Sequence, residues 1–202
     1  MSAAESPAAF GSGAVLEESF FARAPRPLAR DLIGCALFHQ GVGGIIVETE
    51  AYERDDPACH AYIGRTGRTD VIFGPPGRAY VYLCYGIHRM FNVVAEADGI
   101  AAAVLVRALQ PTSGIEAMGA RRGPGRPLRD LCSGPGKLCE ALAIELHQTH
   151  APVWEPPFAL IGRIGSDSPE IVAGPRIGIA KALDLPWRYC LAGSEFLSRP
   201  AG

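Results

Sequence analysis

The sequence predicts an α+β fold: one compact mixed domain whose curved, antiparallel-rich sheet has a β-meander core with a protruding hairpin and is flanked by short helices. Three observations predict it. Strand-like segments follow one another through Gly, Pro and Asp-Gly turns, which favours antiparallel neighbours over βαβ units. The helical patterns are short, with a proline near their start or a glycine at their end. No internal repeat or linker-like composition divides the 202 residues, which are 48% apolar and can enclose one core.

Residues 1–15 are mostly Ala, Ser, Gly and Pro and are expected to form a disordered tail, with the domain over 16–196. A helix is expected from about Pro27, a residue suited to a first helical turn, to Gly34. "CALFHQGVGGIIVETEAY" then reads as two strands around a Gly-rich turn. "FGPPG" launches a strand near 78–84, "YGIH" reverses it into one near 89–95, and Asp98-Gly99 turns the chain into a third near 101–107. Ser113 and Glu116 have capping-box spacing for a short helix, and "SGPGK" opens another with Ser133 or Gly134 as cap and Pro135 in its first turn. "PFALIGRIG", "PRIGIAKAL" and "WRYCLAG" look like further short strands.

Composition excludes several function classes. The longest apolar run, 100–106, is far short of the roughly 20 residues of a membrane span. Residues 1–15 hold no basic segment before an apolar one, so a cytosolic, unexported protein that does not engage a membrane is expected. Six scattered cysteines without a CxxC pair suggest free thiols, and no metal or other cofactor is expected. Net charge is only −2, but the basic residues are 17 Arg against 2 Lys. They cluster as Arg65, Arg68, Arg78 and Arg89 in one window and Arg121, Arg122, Arg126, Arg129 and Lys137 in another. Arginine forks suit phosphate oxygens, and solvated loops would explain them equally.

"VETEAY", residues 47–52, is the first candidate site. Strand alternation would put Ile46, Glu48, Glu50 and Tyr52 on one face, with the carboxylates roughly 6–7 Å apart. Like charges so close would raise at least one pKa and suit a general base. A solvated acidic edge strand fits the same pattern, as does a glycosidase-like carboxylate pair. Tyr80 and Tyr82 share a face of the second hairpin, while Tyr85 sits at its tip beside Gly86, where no core awaits it. An exposed aromatic among arginines suits insertion into a base stack, and Tyr52, His60 and Tyr82 could hold an extruded base. "SGPGK" lacks the leading Gly and trailing Ser or Thr of a Walker A loop.

In order along the chain, "VETEAY", "HAYIGRTGRTDVIFGPPGRAYVYLCYGIHRMFN", "VLVRALQP", "CSGPGKLCEALAI" and "GPRIGIA" resemble the signature blocks of the alkyladenine, or methylpurine, DNA glycosylases. The resemblance runs from about residue 27 to about 192. It implies a base-excision enzyme that flips a damaged purine from double-stranded DNA and hydrolyses its N-glycosidic bond, acting as a monomer. Glu50 would activate the water, helped by Arg107 and the Ile177 carbonyl. Tyr52, His60 and Tyr82 would stack the base, Asn92 would crowd the amino group of guanine, and Tyr85 would fill the gap in the duplex. Apart from the resemblance, the arginine windows and the helix start at Lys137 make Arg65, Arg68, Arg78 and Lys137 the candidates for contact with the DNA backbone. Ile87 and His88 stand where animal members carry Met and Tyr. With no lysine in the pocket blocks, a strand-nicking lyase step is not expected, and aromatic faces should favour a cationic alkylated base. A lesion-binding module without hydrolysis is the alternative.

Overall fold

The computed structural model describes residues 13–163 and 168–201, and the first twelve residues of the expected tail lie outside the described residues. Residues 14–16 are held at a sheet edge, where Leu16 N–H donates to Leu160 O and Gly162 N–H to Ala14 O. The elements are α1 (Glu18–Phe21), α2 (Pro25–Leu32), β1 (Ala36–His39), β2 (Val42–Tyr52), β3 (Ala79–Cys84), β4 (His88–Val94), β5 (Ala103–Ser113), α3 (Ile115–Arg122), α4 (Pro135–Leu142), β6 (Phe158–Ile161), β7 (Ile171–Gly174) and β8 (Arg188–Leu191). The first long helix thus starts two residues before the expected proline, at Pro25. α4 opens as expected, with Gly134 capping and Pro135 leading.

All eight strands join one antiparallel sheet in the order β3-β4-β5-β2-β1-β6. β2 is its long central member. One edge carries β5, and the other carries β1 along the first half and β8 along the second, with β7 beyond. Gly43 and Gly44 permit this crowding. A Cβ on either would lie 2.0 Å from a neighbouring strand's carbonyl oxygen, that of Leu37 or Gln110. The β1–β2 turn is the two-residue pair Gln40-Gly41, both at positive φ, as a tight hairpin with native twist requires.

One face of the sheet buries the main core against α2, α3 and α4, through residues such as Leu28, Leu32, Val93, Val104, Met118 and Leu138. The other face carries a smaller cluster of Tyr80, Val94, Ala101 and Ala103 with Val71 and Ile72, against which Tyr52 and Tyr82 pack. The meander β3-β4-β5 therefore has a structural face and a face left for a site.

Two expectations are corrected. α3 has no capping box: Gly114 is its cap, and Ser113 Oγ instead donates to Gly41 O, tying β5 to the first turn. "PRIGIAKAL" forms no strand, because residues 175–183 leave the sheet after β7 and run along the site.

Candidate active site

Register explains how distant residues meet. Tyr80 pairs with Asn92, Asn92 with Leu105, Leu105 with Glu50, and Glu50 with Arg188. Directly opposed residues point to the same face, so this row crosses β3, β4, β5, β2 and β8 on the side away from the main core. Two positions further along each strand come Tyr82 and Tyr52, on the same face.

A double irregularity between β2 and β5 modifies the simple alternation. Ile46 pairs with Leu109, Glu48 with Ala108 and Thr49 with Val106, so Val47 and Arg107 are each unpaired. Bulges re-aim side chains, and this one corrects the expected face of β2. Ile46 enters the main core, whereas Val47 packs with Ala108 and Phe196. Arg107, the extra residue of β5, reaches back between the two glutamates.

Both glutamates are fully buried, yet their surroundings differ. Glu48 accepts from Arg107 Nε at 2.8 Å, Arg188 Nε at 2.8 Å, Ser198 N–H at 2.6 Å and Ser198 Oγ at 2.7 Å. Burial pushes its pKa up, but Arg107, Ser198 and Arg188 outweigh that, and the net direction is down. Glu48 is therefore not a raised carboxylate: it is saturated with donors and stays ionised. Glu50 accepts the Ile177 N–H at 2.7 Å and approaches Arg107 Nη1 at 3.2 Å through Oε1, and accepts the Tyr52 hydroxyl at 2.8 Å through Oε2. Burial alone would weaken the Arg107 cation, but Glu50 and Glu48 hold its pKa above the ordinary value. Tyr52 is driven well up by burial and then by the Glu50 charge, so it remains a hydroxyl donor.

Over this pair opens a cavity of about 580 Å³, lined among others by Tyr52, His60, Tyr82, Asn92, Arg107 and Ile177. That volume suits a small ligand the size of a base. Tyr80 and Tyr82 stack with centroids 5.3 Å apart, and His60 stands edge-on to Tyr82 at 4.5 Å. His60 Nδ1 is 3.0 Å from the Tyr80 hydroxyl. Burial, then the Arg68 charge, push His60 down to about 4, so its ring is neutral near pH 7. Asn92 is buried and fixed by donating Nδ2 to Tyr80 O at 3.1 Å. At the lip, the β3–β4 tip holds Tyr85 88% exposed at φ 51°, followed by Gly86 at φ 73°. The tight reversal is what turns the ring out of the sheet, since a non-glycine residue there must adopt the left-handed region.

A buried carboxylate thus lies beneath an aromatic cavity with a projecting tyrosine at its mouth. Comparison with known proteins gives the family: the model of the methylpurine-DNA glycosylase family matches residues 19–195. The chain belongs to that family. A relative from Rhodopseudomonas palustris strain HaA2 is 57% identical over 194 residues, covering 96% of this chain and 95% of its own. Another from strain BisB18 is 55% identical, covering 96% of both. One from Nitrobacter winogradskyi is 55% identical over 188 residues, 93% of this chain and 89% of its own. All three carry the name "Putative 3-methyladenine DNA glycosylase". As a member of the family the chain is a DNA glycosylase, a hydrolase of N-glycosyl bonds.

The four basic residues assigned to the DNA backbone are not equivalent in this enzyme. Arg78 lies at the end of β3 remote from the tip, 3.8 Å from Glu18 and over Trp154, and does not line the cavity. Arg65 pairs with Asp70 at 3.0 Å. Lys137 is exposed at the start of α4, whose Pro135 reaches the cavity, and donates to Ser133 Oγ. Arg68 lines the cavity itself. The premise that no lysine stands near the pocket is also corrected, because the loop after Ile177 brings Lys181 to the exposed lip.

Sequence reasoning missed Asp56, Arg176, Arg188 and Ser198. Arg176 is buried, grips Asp56 through both terminal nitrogens, and donates Nη1 to Ala51 O at 2.9 Å. Asp56 also accepts the Ala58 N–H at 2.9 Å, and its carbonyl accepts the Cys59 N–H, which shapes the turn leading to His60. One ion pair thus links the end of β2, the turn before His60 and the loop that presents the Ile177 N–H to Glu50. The acidic turn "ERDDP" was the available signal.

Proposed function

We propose that the enzyme is a monomeric, monofunctional base-excision glycosylase that flips alkylated or otherwise damaged purines out of duplex DNA and cuts their N-glycosidic bond with water. The proposed substrates are 3-methyladenine, 7-methylguanine, hypoxanthine and ethenoadenine. The observation that carries this reading is the Glu50 carboxylate, buried beneath an aromatic cavity and oriented by the Tyr52 hydroxyl, the Ile177 N–H and Arg107.

Cleavage builds positive charge on the deoxyribose as the base departs. A fixed anion beneath the sugar stabilises that charge without reorganising at the moment of reaction. Each carboxylate oxygen has two acceptor positions, so Glu50 Oε2 keeps one for a water while holding the Tyr52 hydroxyl. That water would donate a proton to Glu50 as its oxygen attacks the anomeric carbon, and the base leaves with the bonding electrons. An alkylated purine leaves as a neutral base, because it began as a cation, whereas hypoxanthine or ethenoadenine must take a proton from solvent water onto a ring nitrogen to leave as a neutral base. The Ile177 N–H and Arg107 keep Glu50 in place. Ile177 therefore acts here through its amide, in addition to the carbonyl contact with water that the family resemblance implies.

Tyr52, His60 and Tyr82 would enclose the flipped base, Asn92 would crowd a 2-amino group, and Tyr85 would occupy the gap. The reaction would stop at the abasic site. Lys181 lies at the exposed lip, whereas the groups touching Glu50 are Tyr52, Ile177 and Arg107. Incubation with a 7-methylguanine duplex should yield free base and an intact, alkali-labile strand, with no adduct trapped by borohydride. A trapped adduct that disappears in Lys181→Ala would refute monofunctionality. Tight lesion binding without release would replace the reading with a binding module.

A further inference from the structure

The buried charges around the pocket are paired. Glu48 is matched by Arg107 and Arg188, Glu50 by Arg107, and Asp56 by Arg176. Arg68 has no carboxylate partner among the described residues. Its contacts are aromatic: the guanidinium carbon lies 5.1 Å from the Tyr82 centroid, Nε donates to the Tyr80 hydroxyl at 3.3 Å, and Nη2 is 3.4 Å from both ring nitrogens of His60. Arg68 and Lys181 both line the cavity without a carboxylate partner among the described residues, and Arg68 is the one held against the aromatic rings where a flipped base would stack.

Another aromatic ring of the cavity carries a guanidinium as well. Arg176 lies 4.7 Å from the Tyr52 centroid and 5.0 Å from that of Trp187. Tyr52 lines the cavity while Arg176 and Trp187 do not, so this cation backs the ring. A cation on one face of an aromatic ring already uses part of the electron density that would attract a second cation on the other. The expected advantage of aromatic walls for a charged base is weakened at both Tyr82 and Tyr52.

From this geometry we propose that Arg68 is a specificity-determining residue, which biases the pocket toward neutral purines carrying unmodified O6 and N7 acceptors and away from cationic N-alkylated bases. The proposal rests on the glycosylase reading given above. Arginine's parallel donors match the O6/N7 edge of a 6-oxopurine. Methylation at N7 removes one acceptor and adds a positive charge that the guanidinium repels. Asn92, if it crowds a 2-amino group, rejects ordinary guanine, and hypoxanthine then satisfies both residues. His60 supports the scheme because burial and Arg68 together keep its ring neutral, so it adds no second charge.

The test is single-turnover base release from duplexes carrying hypoxanthine or 7-methylguanine, with wild type, Arg68→Met and Arg68→Lys. Arg68 is exposed, so the substitutions should leave folding intact, which a thermal melt checks. Arg68→Met should raise the 7-methylguanine to hypoxanthine rate ratio by about fivefold or more, within the range expected for losing one cation–π contact and one paired donor. Arg68→Lys should lie between, since it keeps the charge without the fork. A phosphate contact would lower both rates in parallel, so a ratio within about twofold of wild type overturns the proposal. Wild-type release of 7-methylguanine with none of hypoxanthine also overturns it. A wild type that releases neither base refutes the glycosylase reading itself, and the proposal falls with it.

Discussion

Replacing Glu48 by Gln removes one charge from a closed and nearly dry network. The carboxylate accepts four hydrogen bonds, two of them from arginines that are themselves about 95% buried. An amide keeps one acceptor oxygen but turns an NH2 toward some of those donors. Arg188 loses its carboxylate partner, and Arg107 keeps only Glu50. Breaking a buried pair from one side costs about 3–5 kcal/mol, since the remaining charge stays buried. In a chain of this size each kcal/mol moves the melting temperature by about 2–4 °C, so a fall of about 6–20 °C is expected. Calorimetry or circular dichroism on purified variants measures it. The Ser198 segment should loosen in parallel, because its N–H and hydroxyl both end on Glu48, and hydrogen exchange there should speed up. A Glu48→Gln protein melting within 2 °C of wild type would refute the structural role. A well-folded Glu48→Gln protein as inactive as Glu50→Gln would refute the division of labour between the two carboxylates.

Acid stability should follow from the same residue. Its folded pKa is lowered, so its contribution is present above the ordinary value of 4.5 and is lost as pH falls through the folded value. Urea unfolding midpoints should drop below about pH 4.5 in wild type and be flatter there in Glu48→Gln. His60 should titrate near pH 4 by NMR, and Arg68→Ala should move that value upward without restoring the ordinary one, because burial is the larger cause. A titration near 6.5 in wild type would contradict the packing around Tyr80 and Tyr82. Tyr85→Ala should leave the melt within about 0.5 kcal/mol of wild type, since the ring touches little when 88% exposed, yet slow release from duplex more than from single-stranded lesion DNA. Equal slowing on both substrates would contradict a wedge.

Much of the architecture was legible because local signals agreed. Period-2 patterning and the turns "FGPPG" and "DG" located the meander, and Pro135 after Gly134 located α4. Tyr85 stood out because a hairpin tip offers nothing to bury it. What failed did so for tertiary reasons. Strand alternation assigned Ile46 to the site face, but bulges at Val47 and Arg107 shifted the phase, and a bulge leaves no mark in polarity. "PRIGIAKAL" has strand-like composition, yet the burial of Arg176 against Asp56 holds it as a loop. Glu48 and Glu50 look alike in sequence, and the difference lies in partners up to 150 residues away, Ser198 for one and Ile177 for the other. Arg68 reads as one surface arginine among several until the sheet brings Tyr80, Tyr82 and His60 around it.

The most direct test of the account is Glu50→Gln on lesion duplexes, with binding and single-turnover release measured on the same preparation. The amide is isosteric and can still accept the Ile177 N–H, so the variant should fold and bind a 7-methylguanine or hypoxanthine duplex close to wild-type affinity. It should release base at least about 100-fold more slowly, the lower bound of a positioned general base. Release at a wild-type rate by a folded Glu50→Gln protein would contradict the central claim, because the water would then be activated elsewhere.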